Sequence, residues 1–201
     1  MYHTLSIDPG TVCLVGAGPG DPGLITVRGL AYLESADVVV YDRLVDERLM
    51  NKVRPKAEII NPSKEGEGDS DRQDQINALL IDRARGGNRV VRLKGGDPFI
   101  FGRVGEEVEA LVQAGIPFEV VPGVTSAIAA PAYAGIPLTY RDVAASVTIV
   151  TGAESRNKDE GRIVWKNLAR CGGTIVVLMG WGALSRITKT LSREGFPGDT
   201  P

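Results

Sequence analysis

Histidine is almost absent from this chain of 201 residues, with His3 in a polar N-terminal stretch as the single example. Cysteine is scarcely commoner, at two residues, Cys13 and Cys171. A metal centre of the zinc type needs several such ligands close together, so no metal site is expected. Both cysteines lie in apolar contexts. They read as reduced, buried thiols of a cytosolic protein, with a disulfide between them as the alternative. The chain has no signal peptide and no apolar run of membrane-spanning length, so a cytoplasmic location is expected. Neither sign of charge is in large excess: the net charge is −2. That balance argues against a general nucleic-acid binder, while local basic residues can still hold an anionic small molecule.

What the chain does contain is an ordinary hydrophobic fraction of 43%, together with 25 glycines and 12 prolines. Most of these breakers fall at the ends of predicted strands, where loops need special backbone geometry. Short apolar runs at 11–15, 37–41, 57–60, 89–93 and 118–121 read as strands. Helical spacing separates them. One stripe is Leu24, Val27, Leu30, Ala31 and Glu34; a second is Ile76, Leu79, Leu80 and Ala84 over 75–85; a third is Val104, Val108, Leu111 and Val112. A small-residue helix over 127–134 contains Pro131, and 135–142 reads as a linker. The pattern then restarts with strands at 147–150 and 174–179, a helix at 165–171 and a last helix carrying Leu184, Ile187 and Leu191. Alternating strands and helices predict the α/β class, with mainly parallel central sheets in two domains, 11–138 and 144–201. The second supplies only two clear strands where a stable sheet normally needs three or more, and 198–201 reads as a linker. An incomplete, truncated second domain is therefore expected.

The chemistry gathers at strand ends. The run VVRLKGGDPFIFGR passes from a strand into Gly95-Gly96-Asp97-Pro98. The glycines let a ligand approach the main chain, and Pro98 pushes Asp97 towards extended geometry. Asp97 is then either a fixed acceptor for a ligand or the cap of a plain turn. A second such loop, Gly16 to Gly23, follows the first strand. It is not a dinucleotide fingerprint, because the third glycine of GxGxxG falls on Asp21 and Pro19 stiffens the loop. Asp42 and Arg43 end the second strand, in the place where such sheets carry reactive groups, although a strand-end cap is the plainer role for Asp42. Lys64 lies in a polar, charged run over 61–74 that reads as a solvated loop.

The segments VGAGPGDPGLIT, YDRLV, LKGGDPFIFGR, VPGVTSA, GIPLTYRD and VLMG together resemble the tetrapyrrole methyltransferase family, over Val12 to Met179 in order. YDRLV and LKGGDPFIFGR are most similar to the branch that methylates uroporphyrinogen III. Tyr140 departs from the family's usual His, Val104 from a common Gly, and the loop after Lys64 is more acidic than usual. The resemblance implies a two-domain homodimer that moves methyl groups from S-adenosylmethionine to C2 and C7 of uroporphyrinogen III, giving precorrin-2 by way of precorrin-1. Precorrin-2 leads to sirohaem and cobalamin. It also implies a cofactor site of Pro19, Gly95, Gly96, Asp97, Ile100, Thr125, Ser126 and Met179. Asp42 becomes the proton acceptor and Lys64 the donor. Arg43, Arg103 and Arg141 sit beside strand-end loops and suit a substrate with eight carboxylates, surface solubility being their plainer role. A sibling acting on a later corrin intermediate and a dinucleotide-binding α/β protein are the alternative readings.

Overall fold

The computed structural model describes residues 5–62, 69–153, 163–170 and 172–200, with the side chains of 69–71 left aside. The chain forms two compact units, Met1–Thr125 and Ser126–Pro201.

The first unit is built on five strands, β1 (Val12–Gly16), β2 (Val38–Tyr41), β3 (Glu58–Ile60), β4 (Val90–Lys94) and β5 (Phe118–Val121). They form one parallel sheet in the order β3-β2-β4-β1-β5. β1 and β4 are central and wholly buried, so their near-continuous apolar sequence has water on neither side. Period-2 alternation divides their side chains between two cores. Cys13, Val15, Val91 and Leu93 face one side, where Tyr32 and Leu33 of α1 (Val27–Ser35) pack with Val45 and Leu49. Val12, Leu14 and Val90 face the other. There they meet Ile76, Leu80 and Ala84 of α2 (Asp69–Arg85) and Val104 and Leu111 of α3 (Val104–Gln113). Leu14 is fully buried, and cutting such a side chain back to Ala typically costs about 2–5 kcal/mol.

The chain leaves β1 towards α1 on one face and leaves β4 towards α3 on the other. β1 and β4 are neighbours, so their carboxyl ends form a topological switch point, where open α/β sheets carry ligands.

Several local expectations are corrected. The Thr26 hydroxyl accepts from the Gly29 amide and starts α1 there, which places Val27 on the outside and leaves it exposed. The buried face is Gly29, Tyr32 and Leu33, not the stripe through Leu24, Val27 and Glu34. A Cβ on Gly29 would stand 2.9 Å from the Val15 side chain, so only glycine lets the helix lie this close to β1. α2 begins well before residue 75, and β4 carries Arg92 and Lys94 in a wholly buried strand.

The second unit holds α4 (Ser126–Tyr133), β6 (Val147–Thr151), α5 (Trp165–Leu168), β7 (Thr174–Leu178) and α6 (Leu184–Arg193). β6 and β7 pair in parallel, Val147 against Thr174, among the described residues. The units part between Thr125 and Ser126, earlier than the change at 138–144 read from the sequence. α4 packs on β7, and the Thr174 hydroxyl donates to the Leu138 carbonyl at 2.7 Å, so the stretch read as a linker is bound into this unit. No described helix is long and apolar enough to cross a membrane.

Candidate functional site

The carboxyl ends of β1, β4 and β5 meet backbone to backbone. Ala17 donates to the Lys94 carbonyl at 2.7 Å. Gly18 and Gly96 exchange two hydrogen bonds, Gly96 N to Gly18 O at 2.7 Å and Gly18 N to Gly96 O at 3.2 Å. The two glycine loops of the sequence are thus joined to each other. A Cβ on Gly16 would lie 2.5 Å from the Gly123 Cα and 2.7 Å from the Gly96 carbonyl oxygen. Three loops therefore share a space that admits no side chain. α1 starts only at Val27, so no α-helix opens directly on the Gly16–Gly20 loop as a dinucleotide fingerprint requires.

Asp97 fastens this junction. Its Oδ1 accepts from the Phe99 amide at 2.9 Å and its Oδ2 from the Gly123 amide at 3.0 Å. Both oxygens keep further acceptor capacity, and the side chain is only half-buried. The loop beyond it is strained. Phe101 and Arg103 stand at φ +53° and +57°, a region that non-glycine residues occupy at a cost of order 1–3 kcal/mol. Phe99, Ile100 and Phe101 are exposed on that loop, and Leu44, 74% exposed, overhangs Gly95 from the end of β2. Such strain and apolar exposure mark a surface built to receive something.

Beneath the loops lies a buried ionic cluster. Val90, Arg92 and Lys94 alternate onto the α2–α3 side of β4, and the two cations end its apolar layer. Arg92 Nη2 donates to Asp42 Oδ1, and Lys94 Nζ lies 3.5 Å from Asp42 Oδ2. Glu107 Oε1 accepts from Lys94 Nζ at 3.0 Å, Arg92 Nε at 3.1 Å and Gln73 Nε2 at 3.3 Å. Burial is the largest influence on Arg92 and lowers its pKa, but Asp42 and then Glu107 outweigh it and hold the guanidinium above its ordinary value. Asp42 is the member that reaches solvent, with about a third of its side chain exposed.

The other expected residues are placed as follows. Pro19 is half-buried in the β1 loop and Thr125 half-buried beyond Gly123, while Arg43 is exposed after β2. Arg103 stands directly before α3 and clasps Glu106 at 2.7 and 2.8 Å. Ser126, Arg141 and Met179 belong to the second unit, where Met179 is strained at φ +53° directly after β7. The close approach of Gly152 and Gly180 flanks Met179, repeating in β6 and β7 the glycine-bared strand ends of the first unit. Lys64 lies outside the described residues. Sequence reasoning missed Arg92, Lys94, Glu107 and Gly123. The signal was present in β4 itself, where two cations two residues apart share one face of a strand too apolar to be exposed.

The family described as Tetrapyrrole (Corrin/Porphyrin) Methylases matches residues 11–201. The chain belongs to this family. Among its relatives, a siroheme synthase 2 of Yersinia enterocolitica is 53% identical over 201 residues, which is 100% of this chain and 42% of that protein. A siroheme synthase of Gluconacetobacter diazotrophicus is 53% identical over 192 residues, 96% of this chain and 41% of that one. The chain thus spans well under half the length of these curated relatives. Two solved structures are also similar. A cobalt precorrin-4 methyltransferase superposes with a TM-score of 0.83 at 36% identity, over 95% of this chain and 77% of that one. The uroporphyrin-III C-methyl transferase of Thermus thermophilus, complexed with S-adenyl homocysteine, superposes with a TM-score of 0.75 at 45% identity, over 92% and 72%.

Proposed function

We propose that this chain is an S-adenosylmethionine-dependent C-methyltransferase that methylates uroporphyrinogen III at C2 and C7 to give precorrin-2, on the way to sirohaem or cobalamin. The observation that carries the reading is the glycine junction at the switch point, where Gly16, Gly96 and Gly123 bare the backbone around Asp97. Relatives bearing the name siroheme synthase and a neighbour bound to S-adenyl homocysteine support it. The higher identity to the uroporphyrin enzyme favours that substrate, while the closer superposition on the precorrin-4 enzyme makes a corrin intermediate the second reading.

The residues present fit the cofactor. Its ammonium and ribose hydroxyls need acceptors, which Asp97 and bare backbone carbonyls offer. Its adenosine needs apolar cover and close backbone approach, the roles of Ile100, Pro19, Gly95 and Gly96. Thr125, Ser126 and Met179 are proposed as further contacts by family resemblance alone. S-adenosylmethionine supplies a methyl group already activated by its sulfonium. The protein's work is alignment and proton handling. Asp42, held by Arg92 and Lys94 and open to solvent on its other side, takes the proton that leaves the methylated ring. Lys64 is its proposed donor counterpart. Arg43, Arg103 and Arg141 hold substrate carboxylates, with Glu106 positioning Arg103 until substrate competes for it. A homodimer is the proposed assembly.

Steady-state methylation with radiolabelled cofactor tests the roles. Asp42→Asn lowers turnover by about 100-fold or more with S-adenosylhomocysteine binding retained. Unchanged turnover removes Asp42 from the chemistry. Arg43→Ala raises the KM for the tetrapyrrole more than that for the cofactor, and equal effects on both would refute the assignment.

A further inference from the structure

Glu107 is the most deeply buried carboxylate of the first unit among the described residues, at 0% exposure, and the mechanism above makes no direct use of it. Its Oε1 gathers three donors, while its Oε2 has no hydrogen-bond partner. An orphaned, buried carboxylate oxygen costs stability, and apolar residues would fill such a site more cheaply. Two buried cations, Arg92 and Lys94, face two carboxylates, Asp42 and Glu107, so the cluster is formally neutral. Without Glu107, Asp42 would stand alone against both cations. The stem of Lys94 also lies directly under the strained loop, its Cε 3.3 Å from where a Gly102 Cβ would be.

We propose that Glu107 is a positioning residue for Asp42, acting through Arg92 and Lys94 to balance the charge beneath the strand-end loops so that Asp42 can both take up and release a proton. The inference rests on the proton-acceptor role given to Asp42. The groups involved can be named from each packed element. β4 contributes Arg92 and Lys94, β2 ends in Asp42, and α2 contributes Gln73, itself oriented by Asn77. On α3 the neighbouring Glu106 is held below the ordinary carboxylate range by Arg103, with Lys94 adding to the effect.

The test reads kcat against pH in the 201-residue chain. Glu107→Gln keeps the shape and deletes the charge. Its kcat falls at least tenfold with S-adenosylhomocysteine affinity unchanged, and the pH profile of kcat is displaced. Glu107→Gln combined with Lys94→Met restores neutrality and returns kcat and its pH profile towards those of the unaltered chain. A merely structural Glu107 predicts instead that Tm falls, that the pH profile stays in place, and that the double variant is worse than the single. Should Glu107→Gln fail to fold, the compensated double variant carries the test, and its failure to fold or to restore the profile overturns the proposal. Failure of the functional reading is seen separately, as absent methyl transfer or absent S-adenosylhomocysteine binding in the unaltered chain.

Discussion

Gly16, Gly96 and Gly123 do more for this site than any charged residue, because they remove matter from it. Gly16 and Gly123 stand where a methyl group would collide with the backbone of a neighbouring loop, and Gly96 turns at φ +68°, a conformation that favours glycine. Gly123→Ala is therefore expected to spread the β4 and β5 loops apart and break the Asp97 clamp on the Gly123 amide. Overpacking of this kind costs roughly 1–3 kcal/mol. A thermal melt should show a lowered Tm, and calorimetry a loss of S-adenosylhomocysteine affinity larger than the stability change alone explains. An unaltered affinity would separate the junction from the cofactor. The glycines were legible as turns from sequence. Their mutual contact was not, because Gly16 and Gly123 lie far apart along the chain and only strand order makes them neighbours.

Elements show the same division between local and distant causes. α1 and β5 are tied by the Tyr32 hydroxyl donating to Glu119 at 2.8 Å and by Arg28 bonding the same carboxylate at 2.9 Å. Burial first, and then that hydrogen bond, push the Tyr32 hydroxyl up to about 12. Burial first, and then the Glu119 charge, push the Cys13 thiol from 9.0 to about 12. The unfolded chain releases these protons from about pH 9 to 10, while the folded chain keeps them to about pH 12. Their contribution is therefore complete below about pH 9 and is lost as pH rises through that window, by up to about 1.4 kcal/mol per pH unit for each group. Denaturant melts from pH 8 to 11 should show falling stability, with a shallower slope in Cys13→Ala. An equal slope would mean that the thiol ionises without penalty. The sequence marked β1 and α1 correctly as elements. It misjudged the buried face of α1, because that face is chosen by where Thr26 starts the helix and by what β1 presents to it.

Across the whole molecule, two units share one strand-end device. In the first, five parallel strands bury two cores and open a switch point between β1 and β4. In the second, two described strands end in the close approach of Gly152 to Gly180, beside a strained Met179. The homodimer proposed for this chain is checked by sedimentation equilibrium, where a dimer gives twice the chain mass at micromolar concentration. A single-chain mass throughout that range would remove it.

By itself the sequence determined the α/β alternation, the strand ends bared by glycine and proline, and the family to which those loops belong. These are local signals, written in neighbouring residues and read through the periods of helix and strand. Only the tertiary structure decided the order β3-β2-β4-β1-β5, the joining of Gly18 to Gly96, and the burial of Arg92 and Lys94 against Asp42 and Glu107. Those contacts join residues that strand order alone brings side by side. The charges could be buried there because each found an opposite charge that folding delivers from another element.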